Sequence, residues 1–379
     1  MPVGSLPPQA QSLRDEVVAF LADELRIGGF TPRCDAWMSA ADPAFTRRLA
    51  GRGWVGMTVP GLYGGHGRSP LERFVVAEEL LAAGAPVAAH WIADRQMAPS
   101  ILRLGTEEQK HRYLPAIARG ECFFAIGMSE PDAGSDLAAV RTRAREVPGG
   151  WEVTGTKLWS TGAHLAHAIV LLARTDPAEG SRHAGLSQFV VDLPWPGVTV
   201  RPIRTVDGEH HFNEVVLDAA VLPSDALLGT RGAGWEQVTA ELAHERSGPE
   251  RLLSTMPLLV AWADALEKDG AGPAARREVG RLLARAWTVR QMSLAVATAL
   301  ADGRSPAVTA ALVKDLGSRF EGDVVETVRR LRRAPVRRGA ADGVERLLRD
   351  GLLHSPAFTL RGGANEILRS VVAGHLGVR

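Results

Sequence analysis

The stretch FAIGMSEPDAGSD, residues 124–136, opens as an apolar run and breaks at Pro131 and Gly134. The run from Phe123 to Met128 has the length of a strand, and the break supplies turn chemistry, because Ser129, Asp132, Ser135 and Asp136 carry short polar side chains that bond nearby backbone. Such an exit sets backbone N–H groups beside hydroxyls, which suits a polar planar ring or a diphosphate and equally suits an ordinary strand-to-loop transition. Further on, GTKLWSTG, residues 155–162, reads as a tight turn at Gly155 to Lys157 between the strands WEVT and AIVLLA. Trp159 and Thr161 then alternate onto one face of the returning strand. A tryptophan and a hydroxyl on one face can stack on a ring and bond its edge, although Trp159 also suits the core of a β-sandwich.

Outward from these stretches the period changes twice. Before them, Leu13, Val17, Phe20, Leu21 and Leu25 recur at helical spacing, and so do Val75, Leu80 and Leu81. Thr106 with Gln109 forms a capping box that starts another helix, with Pro115 inside it or at its end. Between the helices, GWVGMTVPGLYGGHG is too rich in glycine to be regular. From Cys122 to about Leu228 the chain turns to short β-branched segments, GWEVTG, AIVLLART, LSQFVVDL, GVTVRPI and NEVVLDAAVL, whose natural packing is a sandwich or barrel. After Gly234 long helical periods return, over residues 235–245, 256–267, 277–300 and 305–332, with loops expected at residues 267–275 and 334–343. The patterning therefore gives an α+β chain in the order α, β, α.

The chain has 379 residues, 45% of them hydrophobic, with 44 basic against 43 acidic side chains and a net charge of +1. That balance excludes a nucleic-acid binder working through a global basic field. Cys34 and Cys122 are far apart and form no C-x-x-C pattern, which fits a reducing, cytoplasmic setting and disfavours disulfides. No apolar run approaches a membrane span. The pair His210-His211 has only Glu209 and Glu214 nearby, so a metal site is not expected. G-x-G-x-x-G after a strand, G-x-S-x-G and a phosphate-binding G-x-x-x-x-G-K-[ST] loop are all absent.

The ordered set GTEEQKHRYLP (residues 105–115), SEPDAGSD (129–136), GTKLWSTG (155–162), LAHERSG (242–248) and GGANEILR (362–369) resembles the acyl-CoA dehydrogenase family. It is most similar to the actinobacterial branch that includes steroid side-chain dehydrogenases. The resemblance implies an N-terminal α-helical domain over residues 1–121, a β domain over 122–233 and a C-terminal helical bundle over 234–379, four helices against which FAD lies. It implies Ile126, Met128 and Ser129 along the flavin ring, Gly134 and Ser135 at the phosphates or substrate, and Trp159 with Thr161 against the ring face. Gly363 and Glu366 join the cofactor contacts, and Ser135 and Arg246 the substrate contacts.

Oxidising an acyl thioester between its α and β carbons needs a base for the α proton, donors for the enolate oxygen and a hydride acceptor. Family members place the base either at the first glutamate of E-G-T-x-E-I or before the arginine of L-x-x-E-R. Aligning on Glu366 and Ile367 puts Gly362 at the first position, so the base implied is Glu245, beside Arg246, as in isovaleryl and long-chain relatives. The residues alone also allow a surface charge cluster of Glu241, Glu245, Arg246, Glu250 and Arg251. The resemblance assigns the backbone N–H of Gly362, with a ribityl hydroxyl, to the thioester carbonyl. On residues alone Gly362-Gly363 is equally a turn leading into a helix.

Other family features are missing. No R-x-x-F-G motif is found in PAARREVGRLLARAW, residues 273–287, the G-G-x-G-Y loop is replaced by APVRRGAADG, residues 334–343, and Ala364 replaces a threonine or serine. The branch often works as heteromers, so a homo- or hetero-oligomer, dimer or tetramer, is implied, in which a second chain completes the adenine side. The expected activity is an FAD-dependent dehydrogenation of an acyl-CoA or acyl-carrier-protein thioester, with electrons leaving to an electron-transfer flavoprotein or similar acceptor. A flavin oxidase or monooxygenase on this fold, and a non-catalytic partner subunit, are the alternatives.

Overall fold

A computed structural model describes residues 6–245, 248–270, 272–304, 306–332 and 343–378, without the side chains of residues 242–245. In chain order come helices α1 (Pro8–Arg26), α2 (Ala36–Ser39), α3 (Pro43–Gly51), α4 (Pro70–Ala82), α5 (Ala88–Ile92), α6 (Ala98–Leu104) and α7 (Glu107–Ala118). Strands follow: β1 (Phe124–Gly127), β2 (Arg143–Val147), β3 (Gly150–Lys157), β4 (Ala168–Arg174), β5 (Leu186–Asp192), β6 (Val198–Ile203), β7 (Phe212–Pro223) and β8 (Leu227–Leu228). Helices α8 (Gly234–Glu245), α9 (Met256–Asp269), α10 (Pro273–Ala301), α11 (Ala307–Leu331), α12 (Gly343–Phe358) and α13 (Asn365–His375) end the chain. The architecture is the expected α+β. No helix among the described residues is long and apolar enough to cross a membrane. The expected loop at 334–343 lies almost wholly outside the described residues; the one at 267–275 is the short link between α9 and α10.

The chain forms two compact units, Met1–Ala41 with Arg68–Val87 and Ala243–Arg379, and Asp42–Gly67 with Ala88–Leu242. The first is helical. Ser69 caps α4 with Glu72 in a reciprocal box, which satisfies two of the orphan N–H groups at the helix start. Phe74 and Val75 of α4 pack with Ala10 of α1 and with Leu294 and Ala297 of α10. Among them Glu78 accepts from Arg14 at 2.6 Å and from Arg290 at 2.5 and 2.8 Å. Helices α9, α10, α11 and α12 contact one another as a four-helix group, with α13 against α11.

The second unit is built on one sheet, in the order β6-β7-β3-β2-β4-β5-β8, with β1 added parallel to β4. Strand β4 alternates between two cores. Ile169 and Leu171 face Trp151, Val153, Phe189, Val215 and Leu217, whereas Ala168 and Val170 face Met97, Ile101, Tyr113 and Leu114 of the helical layer. Burial on both faces is why AIVLLA is continuously apolar. Trp151 of β3 meets Phe189 of β5 edge to face at 5.2 Å between ring centroids, so the sheet curls over on itself, the sandwich-like packing the strand pattern suggests. Helix α7 starts at the expected Thr106–Gln109 box and carries Pro115 inside it. Strand β2, RAREV, gave no strand signal in the sequence, because it is short and mostly charged.

The tight turn expected at Gly155 to Lys157 is not there. Those residues continue β3, paired with Val215 to Leu217 of β7, past a bulge at Thr154. Gly155 serves close approach: a Cβ would stand 2.2 Å from the Thr142 hydroxyl oxygen. Because β3 runs on, Lys157 lies inside the protein. It is 0% exposed, and its Nζ donates to Glu130 Oε1 at 2.7 Å and to the Met128 carbonyl at 3.3 Å. Glu130 also accepts from the N–H groups of Arg141 at 2.6 Å and Thr142 at 3.0 Å. Burial pushes the Glu130 carboxyl up, but the Lys157 ammonium and these donors outweigh it and hold it below the usual carboxylate range. Burial pulls Lys157 down to about 8 against the attraction of Glu130. The pair therefore joins the loop after β1 to the end of β3.

Lys157→Met would leave the Glu130 carboxylate buried without its cation and is expected to destabilise folding by about 3–5 kcal/mol. Chemical denaturation at neutral pH checks this; a loss under about 1 kcal/mol would mean the pair holds nothing together.

Candidate active site

In the β-rich unit the two stretches meet side by side. Ile126 lies in β1 and, with Met128, is half-buried against the helical layer. The Leu158 N–H donates to the Ser129 carbonyl at 2.8 Å, which sets Ser129 directly beside Trp159. Trp159 does not continue a strand, contrary to the alternation expected. Its φ is +62°, a left-handed conformation costing a non-glycine residue on the order of 1 kcal/mol. It is 54% exposed, so it is not core, and its indole stands edge to face on Phe212 at 5.7 Å.

What holds this conformation is Asn213, which is 0% exposed. Its carbonyl accepts from the Ser160 N–H at 3.0 Å, and its Nδ2 donates to the Ser160 carbonyl at 2.9 Å. His210 and His164 stack at 4.1 Å, and each has a ring nitrogen against Asn213, at 2.8 and 3.2 Å. Burial, then the neighbouring His210, holds His164 below its ordinary value. The histidine at 210 is thus part of a brace. The signal for Asn213 in the sequence was nil, since an asparagine after a strand start reads as surface.

Gly134 and Ser135 are exposed on the loop between β1 and β2. A Cβ at Gly134 would meet nothing within 4 Å, so packing does not require that glycine and the space is open to a ligand. Arg141 pairs with Asp132 at 3.2 Å, and Arg182 pairs with both oxygens of Asp136. Among the described residues the hydroxyls of Ser129 and Thr161 have no protein partner. An exposed indole held at a strained backbone, two available hydroxyls and an open loop fit one flank of a flavin.

In the helical unit the turn before α13 carries Gly362 at φ +68° and Gly363 at φ +91°, where a side chain would be strained. A side chain would also have to displace a guanidinium: a Cβ on Gly362 would stand 2.6 Å from Arg251 Nη2. Glu366 is exposed in the first turn of α13, where the helix dipole favours a carboxylate. The backbone of Glu245 closes α8; its side chain, and all of Arg246, lie outside the described residues. The surface-cluster alternative fails for its other members, since Glu241, Glu250 and Arg251 are 6%, 0% and 2% exposed.

Behind the turn, Arg361 bonds both oxygens of Asp35 and donates to Ser254 Oγ at 3.0 Å. Trp37 Nε1 donates to the same hydroxyl at 3.0 Å, with Arg361 over its ring at 4.6 Å. The Ser254 N–H donates to Glu321 Oε1 at 2.8 Å. Burial pushes Asp35 up, but Arg361 and His354 outweigh it, leaving it below the usual range. Glu321 goes the other way: burial pushes it up to about 7, with Arg361 opposing. A carboxyl raised on folding contributes stability below its unfolded pKa of about 4.3. That contribution is lost as pH rises through about 7. Glu321→Gln is therefore expected to gain on the wild type in melting temperature as pH is raised from 5 to about 9. A difference independent of pH would show that Glu321 does not titrate there.

Comparison with known proteins gives the family. The descriptions "Acyl-CoA dehydrogenase, N-terminal domain" and "Acyl-CoA dehydrogenase, middle domain" match residues 7–121 and 125–220. Acyl-CoA dehydrogenase FadE29 of Mycobacterium tuberculosis is 31% identical over 97% of this chain and 96% of its own length. FadE34 of the same organism is 34% identical over 93% of this chain, which spans only 49% of that longer protein. Among solved structures, the Tcur3481-Tcur3483 steroid ACAD aligns over 100% of both chains with a TM-score of 0.85 and 29% identity. The ChsE4-ChsE5 complex from Mycobacterium tuberculosis aligns over 99% of both with a TM-score of 0.85 and 27% identity. With a strained, exposed tryptophan beside Ser129 and this likeness along nearly its whole length, the chain belongs to the acyl-CoA dehydrogenase family of FAD-dependent oxidoreductases acting on acyl thioesters.

Proposed function

We propose that this chain dehydrogenates an acyl-CoA thioester across its α and β carbons, with Glu245 as the base. The observation that carries the reading is the wall at Ser129, Trp159 and Thr161, whose exposed indole sits on a backbone held in a costly conformation by Asn213. When bound, FAD supplies the acceptor for the hydride that leaves the β carbon. The chain's own residues do the rest.

Glu245 takes the α proton. Its backbone ends α8, and a base for the α proton needs a carboxylate whose proton affinity is raised towards working pH. Gly362 offers its peptide N–H to the thioester carbonyl; a backbone donor serves whichever side chain the residue carries. Met128, Ile126, Gly363 and Glu366 border the cofactor, Gly134 its phosphates, and Ser135 and Arg246 the substrate. The division into segments 1–121, 122–233 and 234–379 describes the parts contributing to it.

The names of the two structural neighbours, each a pair of chains, support a heteromer in which a second chain completes the adenine side. The same steroid ACAD makes steroid side-chain thioesters of CoA the first substrates to assay. Electrons leave to an electron-transfer flavoprotein or similar acceptor. The two free, buried cysteines, Cys34 and Cys122, support a reducing, cytoplasmic setting.

The test is anaerobic absorbance of the purified protein, alone and with a co-expressed partner chain. A yellow protein that bleaches on adding an acyl-CoA is expected, and Glu245→Gln should keep the colour while slowing bleaching by at least about 100-fold. Bleaching at the wild-type rate in that variant would move the base elsewhere. A protein without flavin in either preparation would overturn the reading.

A further inference from the structure

The glycine turn rests on a buried lysine that none of the sequence motifs uses. Lys314 of α11 is 0% exposed, on a helix face shared with buried Ala310, Ala311, Gly317, Ser318 and Glu321. Its ammonium donates to the Thr359 carbonyl at 3.1 Å, the Gly363 carbonyl at 2.8 Å and Asn365 Oδ1 at 2.7 Å. Three N–H donors thus meet three oxygens. Asn365, 1% exposed, closes the turn further: its N–H donates to the Thr359 carbonyl at 3.0 Å and its Nδ2 to the Asp315 carbonyl at 3.4 Å. Both ends of the segment from Thr359 to Asn365 therefore converge on one buried charge.

Gly362 and Gly363 have no side chains with which to hold their own conformation, and glycine is the residue with most backbone freedom to lose. Orientation has to come from outside the pair. Drawing the Thr359 and Gly363 carbonyls onto one ammonium fixes the planar peptides that carry them, one on each side of the Gly362 N–H, and so limits how the chain between them can run. Arg251 closes the turn from another side. It can do so because α11 has Gly317 where a Cβ would stand 1.9 Å from the Arg251 carbonyl oxygen.

We propose that Lys314 is a positioning residue for the thioester: its ammonium clamps the segment on both sides of Gly362, at the Thr359 and Gly363 carbonyls, so that the Gly362 N–H between them meets the carbonyl without help from a side chain at 362. The proposal rests on the dehydrogenase reading above. It differs from a packing role because it acts on kcat through a group Lys314 does not itself present to substrate.

The test compares the holoenzyme with its Lys314→Met and Lys314→Gln variants. By hydrogen exchange without substrate, peptides covering residues 359–364 should exchange about tenfold faster in the methionine variant, with α9 and α10 unchanged. In turnover, kcat should fall about 100-fold with KM within about 3-fold, as for a misplaced reacting group. The glutamine variant, which keeps an N–H donor, should recover part of both. Wild-type exchange over 359–364 in either variant overturns the proposal, and so does a loss confined to KM. If the methionine variant does not fold, the glutamine variant decides by the same two readings. Exchange is read without turnover, so a wild-type protein that dehydrogenates no thioester sinks the functional reading, while the exchange result still reports whether Lys314 holds the turn.

Discussion

The ion pair between Lys157 and Glu130 is the constraint on which the wall at Ser129 and Trp159 in the β-rich unit depends. Lys157 ends β3 and Glu130 begins the loop after β1, so one contact registers two segments that are not strand partners over that length. Burying two charges is costly, and the cost is met only because each also has backbone partners: Met128 for the lysine, Arg141 and Thr142 for the glutamate. With the loop anchored on Glu130, Ser129 falls beside Leu158 and Trp159. The exposed tip at Gly134 and Ser135 is left free of packing duties.

The helical unit handles an equivalent problem with the same means. A turn of two glycines in the left-handed region is held by Lys314 on one side, by Arg251 against the Gly362 backbone, and by Arg361 fastened to Asp35 and Ser254. Cations suit this work because each offers several donors: Lys314 to two backbone carbonyls, Arg361 to a buried carboxylate and a hydroxyl. At Gly362 a side chain would be strained by the positive φ and would have to displace the Arg251 guanidinium.

Much of this was legible. Alternation and turn residues gave β4 to β7 and the start of β3, and one capping box, Thr106 with Gln109, gave the start of α7. Where reading failed, a single residue had two uses. Gly155 looked like a turn because glycine commonly makes one, yet it lies within a strand at a close approach to Thr142. Trp159 suited a strand face or a core, and only the braces from Asn213 explain why it leaves both. Glu130 and Lys157 sat inside the quoted motifs without a role, since nothing local distinguishes a charged residue that will be buried from one that will not.

The sequence by itself determined the order of helical and β segments, the family, and the absence of a carboxylate at Gly362, because periodicity and residue identity are local properties. Tertiary structure decided which polar groups are buried and which partners they take. That follows from the physics: desolvation and hydrogen bonding depend on neighbours brought from far along the chain, such as Asn213 to Ser160 or Lys314 to Gly363.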